Sequence, residues 1–292
     1  MRELKNKLTS GKNTKNTQGR KGKMFGYQVL GFGSGGSSFK ALTATGGTTS
    51  TVGDFKVHKF TSPGTFEVTE AGSPDAMVVE YLIVGGGGGM GYGYGGAGGA
   101  GGYRAAGCGP APLQACAAAV SVTSYPVAVG GAGAGGPIRP VGPYAPASNG
   151  GNSSAISLTG AGGGYGASSP GTATGGPGGS GGGGGGNPPG GGGSGNTPPV
   201  SPPQGNNGES GPGPEGAQGG GAGAAGSSPR TNITGVTNSI DGSPTKYACG
   251  GRSGQGGPSP ISPRANSGFG GTSQGVAGCT GIVIIRYRLV AG

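Results

Sequence analysis

The sequence predicts a mainly β fold, a small antiparallel β-sandwich with glycine-rich loops. Short β-branched and aromatic runs recur along the chain with turn residues between them, and helix signals are nearly absent. Glycine and proline supply 81 and 24 of 292 residues, about a third of the chain, while only 30% of residues are hydrophobic. Such a composition allows one modest β core, or two small ones, and no large enzyme core.

The glycine is concentrated. Between Gly160 and Arg230 lie runs such as Gly181 to Gly186 and Gly190 to Gly193 with almost no large apolar side chain. Glycine loses the most backbone entropy on ordering, and here little apolar surface is buried in return. The stretch is therefore either disordered or ordered by backbone hydrogen bonding, as a bundle of polyproline-II-like helices with three residues per turn. Pro188, Pro189, Pro198 and Pro199 favour the ordered form, since their fixed φ suits that geometry. A collagen register fails: Gly205, Gly208 and Gly211 keep a three-residue frame, but Pro214 stands where the next glycine belongs.

In chain order, residues 1–23 form a basic arm and residues 24–53 an apolar segment, Met24 to Phe32 (MFGYQVLGF), followed by a Gly/Ser/Thr linker. The segment is either an attachment element, a strand lent to another chain, or an N-terminal strand of the main domain. Residues 54–292 form the glycine-rich β domain. Phe55 to Phe60 alternates, Ser62-Pro63-Gly64 turns, and Phe66 and Val68 resume the alternation. Met77 to Val84 is a strong apolar run that stops at Gly85 to Gly89. Tyr125 to Val129, Ser154 to Leu158, Thr231 to Thr234, Lys246 to Ala248 and Gly281 to Val290 complete the predicted strands. Leu113 to Val120 has room for two helical turns. In the last strand Ile282, Ile284 and Arg286 share one face and Val283, Ile285 and Tyr287 the other, a pattern suited to a central strand covered on both sides.

Of the net charge of +10, seven units fall in residues 1–23, where eight cations face Glu3 alone. Such an arm suits contact with nucleic acid or an acidic surface, or serves as a solvated tail; it has no interleaved aromatics for stacking on single strands. No apolar stretch reaches membrane-span length, and no secretory signal is visible, so folding in a cytoplasm with free thiols at Cys108, Cys116, Cys249 and Cys279 is expected.

Chemistry-bearing patterns are sparse. Gly31 to Gly36 matches G-x-G-x-x-G, an expected coincidence in so glycine-rich a chain, and no helix pattern follows it. Neither Gly11-Lys12 nor Gly22-Lys23 is followed by the Ser/Thr of a phosphate loop. Glu67, Glu70, Asp75 and Glu80 fall close together and read as solvated strand positions rather than a glycosidase pair. His58, the single histidine, falls on a solvent-facing strand position by alternation. No catalytic residue, cofactor or metal site is expected.

The order Lys56 to Thr61, Gly64-Thr65-Phe66, Glu80 to Gly89, Gly101 to Arg104, Tyr125 to Gly131, Gly151 to Ser154, Ile233 to Gly235, Lys246 to Gly251 and Gly281 to Tyr287 resembles the glycine-rich domain of phage tail-fibre and virion surface proteins. Phe25 to Gly33 is similar to the opening of small virion proteins of marine, especially cyanobacterial, phages; residues 1–23 lie outside the likeness. The resemblance implies a virion structural protein of the tail-fibre or adhesin type, with a homotrimer as the expected form. Its loops would touch a host-surface glycan or protein through Tyr92, Tyr94, Tyr103, Arg104, Tyr144 and Tyr165, or those tyrosines would cap glycine helices from outside. Phe25, Tyr27, Val29, Leu30 and Phe32 would join it to other virion proteins. The alternative is a capsid-bound fibre, knob or cement protein without receptor binding.

Overall fold

The computed structural model describes residues 39–136, 147–211, 216–227, 235–253, 265–272 and 275–291. The chain divides into two units, Met1–Phe39 and Lys40–Gly292. Among the described residues of the second unit, the strands are β1 (Thr43–Thr45), β2 (Thr48–Val52), β3 (Phe55–Phe60), β4 (Gly64–Glu70), β5 (Val78–Val84), β6 (Tyr103–Ala106), β7 (Gln114–Ala115), β8 (Ala118–Ala119), β9 (Ser124–Val127), β10 (Ser153–Ala155), β11 (Leu158–Gly160), β12 (Val236–Asn238), β13 (Thr245–Tyr247) and β14 (Ile282–Arg288).

The fold is mainly β, with several antiparallel sheets. The larger runs β2-β3-β14-β5-β6-β7, with β8 added to β5, and the smaller runs β1-β4-β9. The C-terminal strand β14 lies at the centre between β3 and β5. Alternation divides its side chains as the sequence pattern requires. Val283, Ile285 and Tyr287 join Phe60, Tyr81 and Ile83 against Phe66 and Val68 of the smaller sheet. Ile282 and Ile284 join Val57, Leu82 and Val84 on the opposite face, under Val236, Ile240 and Tyr247 of the β12–β13 hairpin. Where the apolar run ends, the Arg286 guanidinium meets Glu80 at 2.6 Å, donates to the Ile240 carbonyl and sits 4.1 Å over the Phe55 ring.

Several expectations are corrected. Part of the stretch read as linker, 33–53, supplies β1 and β2, because its Thr-rich sequence suits strands. The turn at Gly46-Gly47, both at positive φ, carries the chain from one sheet to the other. Residues 113–120 hold the extended β7 and β8 rather than a helix. Ser154 to Leu158 is a hairpin, turning at Ile156-Ser157 with positive φ. His58 is fully buried, since the smaller sheet covers the face that alternation had assigned to solvent. The Thr231 to Thr234 strand lies outside the described residues; the next strand is β12.

Beyond the strand ends, the glycine runs form a backbone-bonded lattice. Along 85–91, Gly85, Gly88 and Gly91 donate to Gly102, Gly99 and Gly96; Gly86 and Gly89 donate to Gly151 and Ser148; Gly87 and Met90 donate to Cys279 and Val276. Each third residue addresses the same neighbour, the period of a polyproline-II-like helix. The returning run repeats this: Gly96, Gly99 and Gly102 bond to 161–167, Ala97 and Ala100 to 217–220, and Gly98 and Gly101 to 268–271. A Cβ on Gly88 would collide with the Gly164 carbonyl oxygen, and one on Gly98 with that of Gly88. The missing side chain is thus what lets these backbones pair. The described parts of 160–230 belong to the same lattice, for example Gly181 donating to Asn206 and Gly184 to Glu209. Pro188 and Pro189 do not pre-set those runs as expected; they occupy the turn closed by the Gly186–Pro189 bridge, because proline has no N–H to give the lattice.

Candidate functional site

The lattice has two ends. At one, the runs enter strands: 85–91 leaves β5 and 96–102 returns into β6, while 161–167 leaves β11. At the other they turn, and the turns are pinned together. Ser169 donates its N–H to the Tyr92 carbonyl at 3.0 Å, the Tyr92 N–H reaches Ser168 Oγ at 3.2 Å, and Gly186 donates to the Tyr94 carbonyl at 2.9 Å. The Ser169 hydroxyl donates to the Asn187 carbonyl. Around these bonds, Tyr94 is 42% exposed, and Pro170, Asn187, Pro188 and Pro189 are exposed with it. One tyrosine ring, several proline rings and one amide side chain therefore stand on a backbone that the lattice holds. Such a surface offers flat apolar contact and hydrogen-bonding groups with little side-chain entropy to lose.

Residues 60–288 match the model of one family, described as a glycine-rich domain. The chain belongs to that family. No curated protein matches the chain.

Within this glycine-rich domain the tyrosines expected at the surface separate. Tyr94 fits that expectation. Tyr92 is buried, its backbone serving the turn contacts. Tyr103 is 1% exposed on β6, packed with Leu82 and Ile284, and its hydroxyl accepts from Asn238 Nδ2 at 2.8 Å. Burial pushes its phenol up to about 12. Neither ring is free to meet a ligand: the glycine-Tyr-Arg segment is the strand that follows the returning run, and its alternation turns Tyr103 inward. Arg104 is half-buried on the opposite face of β6. Tyr165 is half-buried with its ring over Gly176, the capping role considered for it. Tyr144 lies outside the described residues, as do Phe25, Tyr27, Val29, Leu30 and Phe32.

The tip prolines and Asn187 were not anticipated as surface groups. Their signal was present, since proline clusters interrupting glycine runs mark turns. Elsewhere, Glu80 is held by Arg286 and Glu70 pairs with Lys40. Among the described residues no group of three or more His, Cys, Asp and Glu is placed to hold a metal ion. All four cysteines are free thiols; Cys249 and Cys279 pack with Phe269, and burial pushes the Cys249 thiol up to about 12. A cleft of about 680 Å³ near the strand end is lined by Pro110, Pro112, Leu113, Pro203 and Val236 among others, with no ionisable side chain.

Proposed function

We propose that this chain is a structural protein of a phage virion, a homo-oligomer whose turn cluster contacts the surface of the host cell. The observation that supports this most is the exposed Tyr94 on a turn braced by backbone bonds to two other turns, 168–174 and 186–190. A braced loop loses little freedom when it binds, and a glycine lattice projects such loops away from the β core without a second hydrophobic core. The likeness to tail-fibre glycine-rich domains points the same way. The ligand is a surface glycan or protein able to lie against the tyrosine and proline rings. Other virion proteins take the front of the chain, Met24 to Phe32, and the basic arm touches the shell or packaged nucleic acid. The test is adsorption of particles bearing Tyr94→Ala. Adsorption should fall while particle yield and melting of the domain stay unchanged. Unchanged adsorption would favour the second reading, a capsid-bound fibre, knob or cement protein, which the cationic arm supports.

A further inference from the structure

Sheet edges expose unpaired N–H and C=O groups, and proteins blunt them with short strands, prolines, bulges or charge. Among the described strands, three of the four edges of the two main sheets are blunted. β7 is two residues long, β9 contains Pro126, and β1 has a register irregularity between Thr43 and Ala44. The fourth, β2, has none of these devices. It is five residues, Thr48-Thr49-Ser50-Thr51-Val52, with the first four exposed and no charge, proline or bulge. No described residue bonds to the backbone of its outer side.

The hairpin geometry says which groups point outward. β2 and β3 are joined by the two-residue turn Gly53-Asp54, with Gly53 at φ +55° and Val52 opposite Phe55. In a two-residue hairpin the closing pair exchanges both hydrogen bonds, and hydrogen-bonded pairs then alternate. Val52, Ser50 and Thr48 therefore bond to β3, while Thr49 and Thr51 present their N–H and C=O groups outward.

We propose that β2 pairs antiparallel with β2 of a second copy of this chain, about a twofold axis through Ser50. In that register Thr49 of each copy exchanges both backbone bonds with Thr51 of the other, so every outward group is satisfied. Ser50 faces its own counterpart in the closer, non-hydrogen-bonded pair. The strand is self-complementary: no charge meets its like, and threonine opposes threonine, a favourable cross-strand pair. Because the other edges are blunted, the assembly closes at two chains. This differs from the trimer expected from the sequence, and it does not depend on what the tip binds.

The test uses the full chain. Sedimentation or light scattering should give twice the chain mass. Thr51→Pro, which removes one outward donor and spares the β2–β3 bonds, should give a folded monomer. If that variant misfolds, the double variant Thr49→Lys, Thr51→Lys sets like charges opposite each other and should also give a monomer. In a Cys116→Ser background, which removes the exposed cysteine, Ser50→Cys should form a covalent dimer on mild oxidation, with none from the background itself. Thr51→Cys should not, since its two copies would sit more than ~7 Å apart. A monomer or trimer for the unaltered chain, an unchanged mass for folded edge variants, or equal crosslinking at positions 50 and 51 would overturn the pairing. Occupation of this edge by Met24 to Phe32 would also overturn it, and would leave Ser50→Cys uncrosslinked.

Discussion

His58 shows how a single buried ring couples this fold to pH. Its Nδ1 lies 2.8 Å from the Gly46 carbonyl, its ring stacks on Tyr287 and meets Phe66 edge-on, and Nε2 has no partner among the described residues. Burial lowers its pKa, the Gly46 carbonyl opposes that, and Lys56 adds to it. The unfolded chain thus binds the proton more readily than the folded one. Stability is present in full above about pH 6.5 and falls as pH drops toward the folded value. The melting temperature of the native domain should decrease from pH 7.5 to 5, and more steeply than that of His58→Phe; parallel curves would show that this ring is not the titrating group. At the alkaline end the sign reverses. Tyr103 and Cys249 are both pushed up to about 12, chiefly by burial, so the unfolded chain releases those protons first and stability is lost as pH rises toward 12. Tyr103→Phe should cost about 0.5 to 1.5 kcal/mol at neutral pH, the net worth of its bond to Asn238, and should soften the alkaline loss seen in a melting series.

For the elements, strand and lattice fail by different routes. Ile284 and Ile285 are both 0% exposed on opposite faces of β14, so Ile284→Ala and Ile285→Ala should each cost about 2 to 5 kcal/mol in denaturant unfolding. A variant that stays fully stable would contradict the covered central strand. In the lattice, adding a methyl is the damaging change. Gly98→Ala should cost on the order of 1 to 3 kcal/mol or more, because its Cβ would meet the Gly88 carbonyl and the runs have to separate. Gly131→Ala, with nothing within 4 Å of its Cβ, should be neutral or stabilise by about 0.4 to 1 kcal/mol through the unfolded chain. Equal effects at the two positions would show that close backbone approach does not govern the lattice. Of the strands, β3, β4, β5, β9, β13 and β14 were readable from alternation and β-branched runs, while β1, β2, β6 and β12 were not. The hairpin at Ile156-Ser157 and the extended segment at 113–120 were not, because both depend on neighbours that local propensity does not encode.

At the scale of the whole molecule, the lattice ties together runs far apart in the chain: 85–91 alone bonds to 96–102, 148–151 and 276–279. Amides of 161–211 that donate within it should exchange slowly in the native protein, by mass spectrometry. Fast exchange throughout would contradict the bonded lattice. Lys40–Gly292 holds both β clusters, so removal of residues 1–32 should leave a folded domain. Under the proposed function that domain no longer joins its particle, and normal incorporation would refute the assignment of attachment to the front of the chain. If the arm touches nucleic acid, binding should weaken steeply with salt.

From the residue order alone came the β class, the central position of the last strand and the choice between disorder and a polyproline-II-like bundle for the glycine runs. Alternation and glycine content are local properties and act the same way wherever the chain goes. The tertiary structure decided what those local rules leave open. Polyglycine has no side-chain pattern, so which backbone each residue faces is set by runs brought in from elsewhere. A strand side chain takes one of two faces by alternation, but whether that face meets water depends on what packs over it. The smaller sheet buries His58, the β12–β13 hairpin covers Tyr103, and only the turn at Tyr92 to Gly95 leaves Tyr94 in solvent.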